Sequence, residues 1–461
     1  APFFLMITLK EELDEYNGNN FYRMDLTYNR ARMDPAWFGY NGVSTFSSMA
    51  YEKMSNVQSD LGICGNYINS YTYHLQTPIY NMMHSLGYIV DNDENVNVAD
   101  DYYTELMTHG KFTAYENKYC LPIGFGVGTD VTNWQTDCTN PFTVQSDWFE
   151  YATGVSDVFG MMNIDEVRYY NMDEITSGLD TGDIYFTKSG EGEGELTFFL
   201  TTQETKHCYL FADSYDFDSI IINKNGNEVT QYTDEPYIYD LGIVTPEDEV
   251  TVIISIEESD YGYIDFYPYY VNEEALNKGY EILKAQSLNV DTFEETKITG
   301  TISLNNDALF FTSIPYDKGW TVKVDGKEIA EDNYVALNEA YLCFNIPAGS
   351  HSVELSFMPQ GLLLGAGISA LTVIALILAA IIFAKRRKSN VNDPFVYVPV
   401  VEETEEENSE SDTSDEPVNV EIDIPEEKTE EIEENDVQTE DEISIIEEEI
   451  EKINSEETAE E

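Results

Sequence analysis

Basic residues are scarce in this chain: 23 Lys and Arg stand against 88 Asp and Glu, a formal net charge of −65 over 461 residues. An imbalance of that size repels polyanions. It excludes nucleic acid as a partner and makes anionic lipid a poor partner for most of the surface. Cysteine is sparse as well. Cys64, Cys120, Cys138, Cys208 and Cys343 are scattered, with no CxxC and no His at ligand spacing beside them, so no metal site is legible. The odd total and wide spacing argue against a disulfide framework. A Cys120–Cys138 bridge would be open to an oxidised exterior, but buried, inert thiols are the plainer expectation.

Catalytic signatures are missing too. There is no phosphate-loop lysine, no serine or cysteine nucleophile motif and no cofactor fingerprint, and the carboxylates are too numerous for one pair to stand out as acid and base. No catalytic residue and no cofactor are therefore assigned. Nothing before Phe21 has the charged region and cleavage site of a secretory signal, and Pro2 to Leu9 is apolar but too short to span a bilayer. The expectation is a piece of a longer polypeptide whose export signal lies upstream.

One long apolar run is present. Gly361 to Ala384 carries no charge, and Lys385, Arg386, Arg387 and Lys388 follow at once. A buried core helix would not need that length and flank, so the run predicts a transmembrane helix whose basic end stays cytoplasmic. Residues 1–360 are then extracytoplasmic and 385–461 cytoplasmic. Gly361, Gly365 and Ser369 recur every four residues and would form a small-residue stripe for packing against another helix. Beyond the span, Val401 to Glu461 is dense in Asp and Glu, with only Lys428 and Lys452 opposing them. It cannot bury enough apolar surface to fold alone and is predicted to be a disordered acidic tail. Ile446, Ile450 and Ile453 allow one short partner-dependent helix within it.

The exterior reads as α+β and mainly β. Trp320, Val322 and Val324 alternate with polar residues up to the turn Asp325-Gly326, and Leu342, Phe344 and Ile346 follow in a further strand. Earlier, Ile220 to Ile222, the turn Asn225-Gly226 and Val250 to Ile253 repeat the plan, with Glu228 and Glu328 in the same place after their turns. Two β-sandwich-like modules are expected, at 172–272 and 291–360, joined by a linking helix at 273–290. Residues 1–171 read as a mixed α/β unit, 361–384 as the transmembrane helix and 385–461 as the tail.

Several short motifs, taken in order, resemble the C-terminal half of the YfhO family of bacterial membrane proteins, which are related to C-type glycosyltransferases. They are Phe21-Tyr22-Arg23, FGYNGVSTFSSM from Phe38 to Met49, Asn69-Ser70-Tyr71 with Tyr73-His74 and Thr77-Pro78, and YENKYCLPIGF from Tyr115 to Phe125. Asn140-Pro141-Phe142 with Gln145, FFTSIPYDKGWTVKVDGKEI from Phe310 to Ile329, and Pro347 to His351 complete the set. The resemblance implies many membrane helices upstream and transfer of sugar from a polyprenyl-phosphate carrier to a cell-wall polymer of the teichoic acid type. The catalytic acid of such enzymes sits in an early loop absent from this chain. An accessory, non-catalytic portion is the expectation, with the lipid bilayer, a cell-wall glycopolymer and a polyprenyl-phosphate sugar as partners. The other reading is a stand-alone type I surface protein that binds glycan or protein.

Five residues are candidates for substrate contact. Tyr40, Asn41 and Ser44 lie in a Gly-rich loop that could hydrogen-bond a sugar or phosphate, although a turn needing Gly explains the same pattern. Tyr73 and His74 could supply a polar contact or a base, although a satisfied structural histidine is the plainer reading of the second. Tyr261, Tyr263, Tyr267 and Tyr269 alternate, so one strand could present a sugar-stacking face, or could simply be rich in good strand formers.

Overall fold

The computed structural model describes residues 2–18, 20–92, 98, 101–229 and 235–390. The chain divides into two units, Ala1–Ala380 and Ile381–Glu461. The second holds the end of the last helix and residues 391–461, so the expected tail and its Ile446, Ile450 and Ile453 lie outside the described residues. Among the described residues β-strand is the predominant regular structure, arranged in several sheets, with seven α-helices.

The first helix, α1 (Pro2–Asn17), packs on a four-stranded sheet ordered Arg23–Leu26, Leu86–Asp91, Phe112–Asn117, Tyr103–His109. Met6, Leu9 and Leu13 fall on one helical face and are fully buried against Met24, Leu26, Val90 and Phe112. Each such side chain contributes roughly 1.5–3 kcal/mol by leaving water. Met6 and Leu9 of the apolar N-terminal run thus lie on the inner face of a packed helix, while Phe3, Phe4 and Leu5 are exposed.

Short helices α2 (Asp34–Phe38), α3 (Glu52–Asp60) and α4 (Pro78–Met83) follow, then α5 (Pro141–Thr153). Their starts explain two of the motifs. The Thr77 side chain caps α4 by accepting from Tyr80 N, and Asn140 caps α5 by accepting from Phe142 N and Thr143 N, each with Pro in the first turn where no N–H is needed. Gln145 then ties the two helices together: its Oε1 accepts from Thr77 Oγ1 and its Nε2 donates to Leu61 O at 2.7 Å. Thr77-Pro78, Asn140-Pro141 and Gln145 are therefore one fastening.

The later region contains the same sheet twice. One sheet is ordered Asn163–Tyr170, Gly194–Thr201, Val250–Ile256, Ser219–Lys224, Asn227–Glu228. The other is ordered Asn289–Glu294, Lys297–Leu304, Gly349–Phe357, Trp320–Val324, Lys327–Glu328. The two hairpin turns match: Asn225 and Gly226 have φ of 52° and 78°, and Asp325 and Gly326 have 52° and 74°. Two consecutive positive φ values suit the right-handed twist of the flanking strands and favour Asn or Asp followed by Gly. Glu228 pairs with Asn223 and Glu328 with Lys323, as the 100-residue repeat predicts.

Each of these sheets has a companion that shares its core. The first companion is ordered Asp183–Thr187, Tyr261–Val271, Lys206–Asp213, Tyr239–Val244, with Phe159–Met161 beside the end of Tyr261–Val271. The second is ordered Tyr334–Leu337, Tyr341–Ile346, Ala308–Pro315, Gly124–Val127, and its last strand comes from far earlier in the chain. A Cβ on Gly124 would lie 2.5 Å from the Phe310 ring, and one on Gly126 would lie 2.5 Å from Leu304 Cδ2. Only glycine lets this strand lie so close to its neighbours.

The second companion sheet is buried on both faces. Leu309, Phe311, Tyr341 and Cys343 enter the large core shared with α5 and α6 (Glu273–Lys284), while Phe310, Leu342, Phe344 and Ile346 enter the module's own core. Burial on both sides accounts for the nearly unbroken apolar run Ala308 to Phe311.

These pairings move the expected boundaries. Phe159–Met161 and Asn163–Tyr170 join the sheets of the first module, so it begins before residue 172. Gly124–Val127 lies within 1–171 yet completes the second module, whose first strand begins at Asn289. The last helix, α7 (Leu362–Asn390), runs past the expected 361–384, and Gly361 precedes it with φ of 78°. Its 25-residue apolar stretch, Leu362–Arg386, contains no buried residue. At 1.5 Å per residue it is about 38 Å long, enough to cross a hydrocarbon core of about 30 Å. All five cysteines are free. The Cys120–Cys138 bridge is therefore absent, and Cys138 is exposed rather than a buried thiol.

Candidate functional site

Where the first strand, α2, α3 and the end of Ala308–Pro315 converge, they enclose a cavity of about 530 Å³. Arg23, Gln58, His84 and Ser313 line it together with the loop Gly42–Thr45, and Met33, Met49 and Tyr51 give it an apolar, exposed rim.

Asp25 holds the loop. Fully buried, it accepts from Val43 N at 2.9 Å, Ser44 N at 3.0 Å, Leu26 N at 3.0 Å and Asn29 Nδ2 at 3.2 Å, with Ser44 Oγ at 3.1 Å. Burial raises its pKa and these donors oppose the rise. Gly42 lies where a Cβ would meet Pro35 Cγ at 2.5 Å, so the loop can fold onto α2 only with glycine there.

Arg23 is anchored by neutral acceptors. Its Nη1 donates to His84 O at 2.7 Å and Ser313 Oγ at 2.6 Å, and its Nη2 to Ser313 O at 3.3 Å. Among the described residues it forms no ion pair, and burial pulls its pKa down to about 10, which leaves it charged at neutral pH. Arg32 differs. It is engaged by Glu235 through both Nη atoms and also donates to Ser70 Oγ, so its charge is matched.

A buried polar network supports the cavity. His84 Nδ1 lies 2.9 Å from Tyr80 O, which requires an N–H there, while Nε2 faces Gln58 Nε2 at 2.8 Å and the Tyr341 hydroxyl at 2.9 Å. Desolvation lowers the His84 pKa to about 3, so the ring is neutral. Tyr80 stacks on it at 4.1 Å and donates to Gln58 Oε1.

Of the five expected contact residues, Tyr40 and Ser44 line the cavity. Tyr73 does not; it is fully buried, supports Ser44 by donating from its backbone N to Oγ at 2.9 Å, and donates through its hydroxyl to Asn81 at 3.0 Å. His74 also lies outside the lining and packs on Tyr237 with ring centroids 4.5 Å apart. Asn41 is exposed, and its carbonyl accepts from Met24 N at 2.9 Å. The expected tyrosine face is divided: Tyr261 and Tyr263 are exposed, whereas Tyr267 is buried, its hydroxyl donating to Asp183 Oδ1 at 2.7 Å and lying 3.0 Å from Asp265 Oδ1, and Tyr269 is covered by Phe142 of α5.

Arg23, Asp25, Gln58, His84 and Ser313 were not singled out as site residues by sequence reasoning. The available signal was Arg23 itself, a cation beginning a strand in a chain with few cations.

A family model described as "Bacterial membrane protein YfhO" matches residues 7–369. Among curated proteins, the "Uncharacterized protein YfhO" of Bacillus subtilis (strain 168) is 20% identical over 410 residues, covering 82% of this chain and 45% of the relative. The chain thus spans about half the length of the curated relative it matches. Among solved structures, a beta-glucuronidase of Bacteroides uniformis is 15% identical with a TM-score of 0.17, covering 44% of this chain and 28% of its own. An anti-sigma factor domain-containing protein is 10% identical with a TM-score of 0.17, covering 43% of this chain and 89% of its own.

Proposed function

The chain belongs to the YfhO family of bacterial membrane proteins, and from that premise we propose that it forms the extracytoplasmic accessory portion, with its membrane helix, of a glycosyltransferase-like enzyme. In this reading the substrate is a polyprenyl-phosphate sugar, the acceptor is a cell-wall polymer of the teichoic acid type, and the catalytic loop lies in the half of the relative's length that this chain does not match. The two β-sandwich-like modules roof the reacting region, and Tyr40 and Ser44 help to hold the acceptor.

The observation that carries the reading is the extent of the match, which runs from α1 through every sheet and into α7. Residues 1–360 face outward and the basic run from Lys385 faces the cytoplasm. Protease added to intact cells should cleave the exterior and spare the acidic tail; the reverse pattern would contradict this orientation.

The decisive experiment has two arms. The upstream reading frame is sequenced, and sugar transfer from a polyprenyl-phosphate donor is assayed with the whole protein and with this chain alone. A continuous frame with many apolar spans, activity in the whole protein and none in this chain support the proposal. Transfer by this chain alone would overturn it. An export signal directly ahead of Ala1 would favour a stand-alone surface protein.

A further inference from the structure

Although 88 of the 461 residues are Asp or Glu, the stretch from Tyr16 to Tyr51 holds only Asp25 and Asp34, and both are buried. Its outer surface therefore carries no carboxylate, while Arg30 is exposed. Apolar side chains are exposed there instead: Met49 is 86% exposed and Trp37 73%, and Phe4 of the preceding α1 is 71% exposed. Large apolar side chains gathered on one surface mark it as a contact face.

These residues are joined to one another and to the root of the last helix. Phe3 meets Phe4 with ring centroids 5.9 Å apart and Trp37 with centroids 6.3 Å apart, both edge to face. Trp37 N donates to Met33 O at 2.9 Å, so the two stand one helical turn apart, and Met33 borders the same opening as Met49 and Tyr51. The Tyr51 hydroxyl donates to Asp317 Oδ2 at 3.2 Å, Asp317 Oδ1 accepts from Gly319 N at 2.6 Å, and Gly319 O accepts from Met358 N at 3.0 Å. Met358 is 51% exposed, and α7 starts just after it at Leu362.

We propose that this face lies on the bilayer that α7 enters, with Phe4, Trp37 and Met49 seated at the level of the lipid headgroups. Continuity with the span commits the occupant, because a surface tied to Met358 is held beside the point where the chain passes into lipid. The chemistry agrees. Tryptophan and tyrosine favour the membrane interface, where an apolar ring and a polar edge are both satisfied. A surface without carboxylates also approaches headgroup phosphates free of the repulsion that an acidic exterior meets elsewhere. This goes beyond the proposed function, which assigns membrane contact to the helix alone, and it holds whether or not sugar is transferred.

The test follows tryptophan fluorescence of the full chain in phosphatidylcholine nanodiscs. Subtracting the emission of Trp37→Phe from that of the parent isolates Trp37, because Trp134, Trp148 and Trp320 are common to both. Lipid brominated next to the headgroup should quench this component more than lipid brominated at the chain ends, and aqueous acrylamide should reach it poorly. Phe4→Glu combined with Met49→Glu puts carboxylates at two exposed positions of the face; it should cut the quenching by brominated lipid at least about twofold while leaving the thermal midpoint unchanged. If the Trp37 component is open to acrylamide and insensitive to brominated lipid, or if the charged pair leaves the quenching at the parent value, the proposal is overturned. Repeating the measurement on the whole protein separates the other occupant: protection from acrylamide and brominated lipid together would mean that a protein surface covers the face and would also overturn the proposal, whereas quenching by headgroup-proximal bromine supports it.

Discussion

Arg23 and Ser313 are 290 positions apart and meet through an Nη1 to Oγ hydrogen bond of 2.6 Å, which links the first strand to the strand Ala308–Pro315 of the second repeated module. The same guanidinium holds His84 O at the end of α4. One side chain therefore joins three elements that are remote in sequence.

Because those three hydrogen bonds go to a charged donor, Arg23→Met should lower stability by about 2–4 kcal/mol, more than Ser313→Ala alone. Thermal denaturation of both single variants and the double variant in detergent measures the coupling. Strict additivity would mean that the two residues do not act together.

His84 supplies a pH dependence with a definite sign. Its folded pKa of about 3 lies below the ordinary 6.5, so between those values the unfolded chain binds a proton that the folded chain refuses. Its contribution to stability is complete above about pH 6.5 and declines as pH falls toward 3, at up to roughly 1.4 kcal/mol per pH unit. His84→Gln should flatten the change in thermal midpoint between pH 7 and pH 4.5. An unchanged slope would show that other groups govern acid sensitivity.

Gly124→Ala should cost about 1–3 kcal/mol, because the new methyl would press on the Phe310 ring, itself stacked on Phe344 at 4.6 Å. Phe310→Leu in the same chain should recover part of that loss. If Gly124→Ala melts at the parent temperature, the strand has room the packing does not suggest.

On α7, a Cβ at Gly365 would meet no atom within 4 Å, and Gly361 and Ser369 are exposed as well. We expect this stripe to seat another membrane helix, so Gly365→Leu should lower the detergent stability of the whole protein while membrane insertion is unaffected. Equal stability of variant and parent would remove that role.

Some features needed only neighbouring residues to be read. The uncharged run ending at Ala384, just before Lys385, satisfies the length and flank requirements of a membrane span. Asn225-Gly226 and Asp325-Gly326 are turns because few other pairs tolerate two positive φ values. The repeat was visible for the same reason, since hairpins place their signals at fixed offsets. The cavity had no such local signature. Arg23, Gln58, His84 and Ser313 become neighbours only when Gly124–Val127 crosses into the second module and α4 is fastened to α5, so their proximity is a consequence of long-range pairing. Tyr73 and His74 looked available because sequence shows residue type and not that the first is fully buried and the second packs on Tyr237. Local sequence determined the elements and their turns through short-range sterics and hydrogen bonding, whereas tertiary packing decided which polar groups lost their water and were brought to face one cavity.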